Sequence, residues 1–332
     1  MANLLDSLSH QFNARQTDHL AKLLGVNKTQ LPQGMATANA LLLDAVNTQC
    51  NSADGADTLL ASLNLDKELR RDAMASIQAG HGYPILDYLF GIGLPKVTHW
   101  VQDTAEIDVA PYLPAAAVAF MHALEERVLH DKLDAGGLGA FLKKEYDAFA
   151  LAQPQLASQL HAAIDLGQNT VERAERLMER FTPEDWDTLA KLPSVAASAV
   201  MMSALSGPAG INKEYASLFQ ALADVADENE PDSLVSLCAR SYNDPAQVDA
   251  LGVTPQNAHD KMRDACLDAL AILNDNATHE EILAYKHMVV TVARRVAQAA
   301  QDGGVLGMGR KPISADEQRT LDLLAAALAY TE

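Results

Sequence analysis

Residues Thr278 to Val292 read THEEILAYKHMVVTV, and this stretch indicates the fold class most clearly. Thr278 and Glu281 have the spacing of a capping box, in which the hydroxyl and the carboxylate each bind a backbone N–H group at the start of a helix. Apolar residues then recur at intervals of three and four, which places them on one helix face: Ile282, Tyr285, Met288, Val289 and Val292. The stretch therefore predicts a capped amphipathic helix.

Similar helix starts recur along the chain. Ser314 to Glu317 is a second capping box, while Thr182-Pro183 and Thr254-Pro255 place a hydroxyl residue before a proline at the first helical position. Hydrophobic residues make up 48% of the chain but aromatic residues only 5%, and no segment alternates as a strand does. The sequence predicts an all-α fold.

The length of 332 residues exceeds the usual size of a single core, so two helical-bundle domains are expected. The chain is interrupted at Gln153-Pro154, and a long helix is predicted to follow. We therefore predict an N-terminal all-α domain at residues 1–150 and a second all-α helical domain at residues 151–332.

The first half contains a weak internal duplication. Residues 20–46 match residues 98–124 in apolar pattern at an offset of 78, and SADGADTLLASL (52–63) then matches KLDAGGLGAFL (132–142) at 79. The glycines of LDAGGLGAFL resemble a phosphate-binding loop. In this register the first copy lacks those glycines, and no Lys-Ser or Lys-Thr pair follows them. We interpret the stretch as a turn that starts a helix.

Four segments carry a resemblance to a known family. They are LLDSL (4–8), LLGVNKTQL (23–31) with the helix that ends LLLDAV, ILDYLFG (85–91) and LDAGGLGAFL (133–142). In order and spacing, residues 1 to about 147 resemble the bacterial YidB-like family of small all-α domains of unknown function. Residues 168–332 are similar to a helical region of other uncharacterised bacterial proteins, marked by TPEDW (182–186) and GGVLGMG (303–309). Both resemblances imply a fold and no activity.

The charge of −19 excludes the basic surface that phosphate backbones require, so nucleic acid is not an expected partner. Cys50, Cys238 and Cys266 form no disulfide framework, which is typical of a reducing compartment. The opening MANLLDSLSHQFN lacks the pattern of a signal peptide, and the uncharged stretch 192–212 contains too many Ser, Pro and Gly residues for a membrane span. The sequence predicts a cytoplasmic, acidic protein in which this stretch is a buried helix.

GGVLGMGRKPIS (303–314) is the most suggestive loop. Its glycines, two cations and a following helix start could hold an anion, and the candidate ligand-binding residues are Gly303, Gly304, Gly307, Gly309, Arg310, Lys311 and Ser314. The alternative, which we favour, is that Gly303-Gly304 end the preceding helix as a left-handed cap.

His122, Glu126 and His130 have the spacing of one helix face. Eight residues at a 1.5 Å rise separate the two histidines by about 12 Å, too far for one metal ion, so we interpret them as a solvated face. No catalytic motif, metal site or cofactor site is recognised in the sequence. The sequence favours a non-enzymatic protein-interaction or scaffold module that binds a protein partner or itself. The alternative is a small anionic-ligand-binding protein or an enzyme that uses the loop 303–311.

Overall fold

The computed structural model describes residues 3–65, 73–203, 208–242, 244–299 and 313–331. These residues form helices and turns with no strand, which confirms the predicted all-α class. The chain divides into two compact units, Met1–Val171 (unit 1) and Glu172–Glu332 (unit 2). A separate hydrophobic core lies in each unit.

Unit 1 consists of helices that range from 6 to 25 residues in length. In chain order they are α1 (Leu4–Ser9), α2 (Ala14–Leu23), α3 (Leu31–Gln49), α4 (Ala53–Leu65), α5 (Ala73–Gln78), α6 (Gly82–Phe90), α7 (Leu94–Ala105), α8 (Leu113–Asp131), α9 (Ala135–Ala152) and most of α10 (Pro154–Met178).

The core of unit 1 is formed by α3 and α8, which pack against each other. Both helices begin with Leu-Pro. Proline is suited to this position because the N–H group that it lacks would have no partner in the first turn of the helix. Between Leu41 and Leu43, and again between Ala115 and Phe120, every side chain is buried. A helix that is apolar on all sides is stable only inside a protein, and here α1, α6 and α9 pack around this pair.

The helix starts of unit 1 recur at an equal interval. The starts of α3 and α8, Leu31 and Leu113, are 82 residues apart, and so are the starts of α4 and α9, Ala53 and Ala135. This interval differs by three or four residues from the predicted offsets of 78 and 79, and the duplication stays a prediction. Apolar patterns repeat every three or four residues along a helix, so a shift of that size still aligns many apolar positions.

At this interval LDAGGLGAFL is matched with the start of α4, and both segments start a helix. The N–H of Gly137 donates to Asp134 Oδ1 (2.8 Å), and the equivalent N–H of Gly55 donates to Ser52 Oγ (3.0 Å). The Asp134 carboxylate thus accepts a hydrogen bond from the N–H group of Gly137, a donor that a bound phosphate would need. The interpretation of this stretch as a helix start agrees with the structure, and one of its glycines does have a counterpart at the start of α4.

The first part of α10 packs on unit 1. Gln159 Nε2 donates to the carbonyl of Thr104 (2.6 Å), and a Cβ atom added to Gly93 would lie 2.5 Å from the carbonyl oxygen of Gly167. The division between the units therefore lies inside α10, about 20 residues after the predicted boundary near 150. The chain does break at Gln153 between α9 and α10, as predicted. The predicted domain bounds, residues 1–150 and 151–332, stay a prediction.

Unit 2 consists of helices arranged around α11. They are α11 (Pro183–Ser203), α12 (Pro208–Glu228), α13 (Leu234–Ser241), α14 (Pro245–Ala250), α15 (Ala258–Asn276), α16 (His279–Ala299) and α17 (Ala315–Ala327). The uncharged sequence from Leu192 is buried in α11 up to Met201, as expected, while residues 204–207 of the stretch lie outside the described residues. No helix in the described ranges is long and apolar enough to cross a membrane.

Most predicted helix starts in unit 2 are confirmed. Thr278 with Glu281, and Ser314 with Glu317, form reciprocal capping boxes, and Thr182 caps α11 through the N–H of Asp185. The predicted start at Thr254-Pro255 is wrong, because these residues form a turn and α15 begins at Ala258. The N–H of Thr254 donates to Asn257 Oδ1 (2.7 Å), so the side chain of Asn257 holds the turn before the helix.

Candidate binding groove

A groove of about 420 Å³ lies in unit 1 between α1, α2, α3 and the junction of α9 with α10. Its volume is within the range of small-molecule sites in proteins. Apolar side chains form most of its surface: Leu5, Leu8, Phe12, Leu20, Leu31, Pro32, Met35, Ala36, Ala40, Ile107, Phe149 and Leu156. The polar residues that line it are Asp6, Ser9, Thr17, Gln33, Thr37, Asn39 and Gln153.

The short helix α1 forms one wall of the groove and is held at its N-terminal end. Asn3 caps the helix by accepting a hydrogen bond from the N–H of Asp6 (2.7 Å). The N–H of Leu4 donates to Glu145 Oε2 on α9 (2.6 Å). Leu4 is buried in the core, whereas Leu5, Asp6 and the buried Leu8 line the groove.

Asn39 is the most unusual residue in the groove. It lies in the buried helix α3, its side chain is 4% exposed, and its Oδ1 has no hydrogen-bond partner among the described residues. A buried amide oxygen without a partner costs about 1–3 kcal/mol. Buried polar groups are normally paired, so this amide oxygen is an exception within α3.

The groove contains little charge. Asp6 is the one ionisable residue among the described residues that line it, and that side chain is exposed. An anion in this groove would meet no lysine, arginine or histidine from those residues. Because burying an unpaired charge is costly, the groove is suited to an uncharged apolar group.

A contact between a buried carboxyl and a half-exposed histidine joins α3 and α10, two of the helices that border the groove. Asp44 on α3 is fully buried, and its Oδ1 lies 3.3 Å from Nδ1 of His161 on α10. Thr48 Oγ1 also donates to Asp44 Oδ1 (3.4 Å), while Oδ2 has no hydrogen-bond partner in the described part of the chain. Burial raises the pKa of the Asp44 carboxyl, although His161 acts in the opposite direction. The pair therefore holds α10 against α3 at a cost in desolvation.

The face of α8 that carries His122, Glu126 and His130 lies elsewhere in unit 1. His122 Nδ1 is 3.9 Å from Glu126 Oε1, whereas His130 Nδ1 is paired with Asp131 (2.7 Å). Glu126 and His130 are largely exposed, as expected for a solvated face, whereas the side chain of His122 is only 19% exposed and departs from that expectation. In the described ranges no three His, Cys, Asp or Glu side chains are placed to hold a metal ion.

The loop predicted as a ligand site lies mostly outside the described residues. This applies to Gly303, Gly304, Gly307, Gly309, Arg310 and Lys311, so both the anion site and the left-handed cap stay predictions. Ser314 is described, and its Oγ accepts a hydrogen bond from the N–H of Glu317 (3.2 Å). Its hydroxyl is therefore used to cap α17.

The groove could not be predicted from the sequence, because its residues come from separate parts of unit 1. One signal was present: polar residues interrupt the apolar sequence of α3 at Thr37, Asn39, Asp44 and Asn47, and all four are buried. A polar residue inside a helix that is otherwise apolar often has a partner elsewhere or faces a site.

Residues 6–127 match the family model described as a bacterial protein of unknown function (DUF937). The match confirms the predicted resemblance of the N-terminal part to a bacterial family of unknown function, although not the YidB-like name. It covers just over a third of the chain, from α1 to most of α8, and includes α2 and α3, which line the groove. No curated protein and no solved structure matches the chain.

Proposed function

We propose that the chain is a non-catalytic helical interaction module, and that the groove of unit 1 receives an apolar group from its binding partner. The observation that supports this most is the groove itself, about 420 Å³ in volume, with twelve apolar residues and one ionisable residue around it. Ligand sites in proteins are typically concave and mostly apolar, with a few polar groups that set orientation.

The partner proposed from the sequence is a protein or a second copy of the chain. A protein partner or a second copy of the chain would place an apolar side chain in the groove. A free small molecule would place its alkyl part there. A cytoplasmic location and the exclusion of nucleic acid belong to the same proposal. They rest on the unpaired cysteines and on the net charge of −19.

Blocking the groove tests this function. Ala36 lines the groove and is exposed, so Ala36→Trp narrows the opening without placing a new side chain in the core. Ala140 is exposed on α9 and does not line the groove, so Ala140→Trp is a matched control. The probe is Nile red, an uncharged dye whose fluorescence increases in apolar surroundings.

We expect Nile red to bind the wild type and Ala140→Trp with equal affinity, and Ala36→Trp at least ten-fold more weakly. Equal affinity for all three proteins would overturn the groove as the binding site. Sedimentation velocity of the same proteins tests whether a second copy of the chain is the partner. If it is, Ala36→Trp should lower the fraction of dimer. An unchanged dimer fraction excludes self-association through the groove.

A further inference from the structure

We propose that α1 occupies the site of an amphipathic helix from a partner protein, and that this helix displaces α1 when it binds. The partner named in this way deepens the proposed function and rests on it, because α1 is one wall of the same groove.

Few contacts hold α1 on unit 1. It packs against α3 and α8, and the two buried residues among its six are Leu4 and Leu8. Among the described residues, one hydrogen bond joins it to another helix, from the N–H of Leu4 to Glu145 Oε2 (2.6 Å). The free energy gained by burying two leucines is of the same order as the conformational entropy lost when six residues become ordered. A competing helix therefore has little to overcome.

Unfilled space lies on two sides of α1. Leu5, Leu8 and Ser9 line the groove of about 420 Å³. Leu4 and Ser7 line a second cavity of about 640 Å³, whose other walls come from α8 and α9. A helix with larger apolar residues at the positions of Ser7 and Ser9 would keep both leucine contacts and bury more surface. It would bind this site more tightly than α1 does, which is the condition for displacement.

The helix already seated in the site indicates the chemistry of the partner. Leu4 and Leu8 are four residues apart and therefore lie on one helix face, the spacing through which amphipathic helices bind apolar grooves. Glu145 accepts a hydrogen bond from an N–H group of the first turn, which has no partner inside a helix. The partner helix should therefore begin at Glu145 and carry leucines at the positions of Leu4 and Leu8.

Peptides of residues 3–12, labelled with fluorescein at the C-terminal end, are the probes, and fluorescence anisotropy measures their binding to the full chain. The Ser7→Leu and Ser9→Leu peptides each add apolar surface that faces one cavity. The His10→Leu peptide is the matched control, because His10 is exposed and lines neither cavity. A second protein, Leu4→Ser/Leu8→Ser, lacks the apolar anchors of its own α1.

We expect the Ser7→Leu and Ser9→Leu peptides to bind the wild type at least about five-fold more tightly than the unsubstituted peptide, and the His10→Leu peptide to bind as the unsubstituted one does. The Leu4→Ser/Leu8→Ser protein should bind every peptide at least about ten-fold more tightly than the wild type does, because α1 no longer fills the site. If circular dichroism shows that this protein is unfolded, hydrogen exchange of the wild type replaces it. The amides of α1 should then exchange at least about 100-fold faster than those of α3.

The proposal is overturned if no peptide binds either protein, if the four peptides bind alike, or if α1 exchanges as slowly as α3. An affinity that the loss of the α1 anchors leaves unchanged overturns it as well. A wild-type dimer that Leu4→Ser/Leu8→Ser abolishes would assign the site to α1 of a second copy instead of a partner protein. If Ala36→Trp still weakens the binding of Nile red, the groove stands as a binding site and only the displacement of α1 is wrong. If Ala36→Trp has no effect on the dye, the proposed function itself fails.

Discussion

At the scale of single residues, the hydroxyl of Tyr285 compensates for a proline inside α11. Pro193 has no N–H group, so the carbonyl of Leu189, four residues earlier, loses its helical partner. Tyr285 is fully buried on α16, and its Oη donates to this carbonyl (2.6 Å). Burial also raises the pKa of the Tyr285 hydroxyl, so the hydroxyl stays protonated and can donate a hydrogen bond.

We expect Tyr285→Phe to lower the free energy of unfolding by about 1–3 kcal/mol, since the buried carbonyl is left unpaired. In a Pro193→Ala background the loss should be smaller by at least about 0.5 kcal/mol, because the substituted alanine supplies the missing N–H. Urea unfolding of the four proteins measures this coupling. An equal loss in both backgrounds would show that the hydroxyl does not replace the helical hydrogen bond.

The buried carboxyl of Asp44 predicts a pH dependence of stability. Its pKa is raised by burial, so the folded state binds this proton more tightly than the unfolded state. The corresponding stability is present below the ordinary pKa of 3.8 and is lost as the pH rises through the folded pKa.

An asparagine at position 44 removes this titration. We expect Asp44→Asn to gain stability over the wild type as the pH is raised from 4 to 7, measured by urea unfolding at each pH. A difference that stays constant or shrinks with rising pH would contradict the raised pKa. Asp131→Asn is the control. The pKa of the Asp131 carboxyl is lowered, so the stability difference between this variant and the wild type should change with pH in the opposite direction.

At the scale of helices, the starts of α4 and α9 differ in how much space surrounds their glycines, Gly55 and Gly137. A Cβ atom added to Gly137 would lie 3.1 Å from Asp134 Oδ1, a side-chain atom that can shift. A Cβ added to Gly55 would lie 2.0 Å from the backbone oxygen of Gln49, so the helix start itself would have to move. The start of α4 therefore depends on its glycine more than the start of α9 does.

We expect Gly55→Ala to destabilise the protein by about 1–3 kcal/mol, as overpacking does, and Gly137→Ala to change stability by less than about 1 kcal/mol. Thermal unfolding of the two variants compares them directly. Equal effects would mean that the two helix starts are not distinguished by close packing.

The helices also show what the sequence could predict. Caps with a defined spacing, such as Ser314 with Glu317, depend on local hydrogen bonds and were predicted correctly. Thr254-Pro255 was misplaced because a turn and a helix start use the same residue types. The interval between the recurring helix starts needed the actual helix ends, and the groove needed residues from α1 to α10 to come together, which no local pattern encodes.

At the scale of the whole molecule, α10 determines where unit 1 ends. Gln159, His161 and Gly167 all contact residues of unit 1, and all follow the predicted boundary near 150. A fragment that stops at residue 150 loses these contacts and the groove residues Gln153 and Leu156. It would also leave the buried carboxyl of Asp44 without His161.

We therefore expect a fragment of residues 1–171 to unfold cooperatively, and a fragment of residues 1–150 to be markedly less stable or unfolded. Circular dichroism during urea unfolding measures both. If the shorter fragment were as stable as the longer one, the boundary predicted from the sequence would be the correct limit of independent folding.

The central claim is that the groove of unit 1 binds an apolar group, and methyl NMR of the methionines tests it most directly. Met35 lines the groove, whereas Met262 and Met288 are buried in the core of unit 2. In protein labelled at the methionine methyl groups, we predict that 1-octanol shifts the Met35 signal in a saturable manner and leaves the Met262 and Met288 signals unchanged, with assignments from Met→Leu variants. A Met35 signal that does not move, or that moves only together with those of unit 2, would contradict the account.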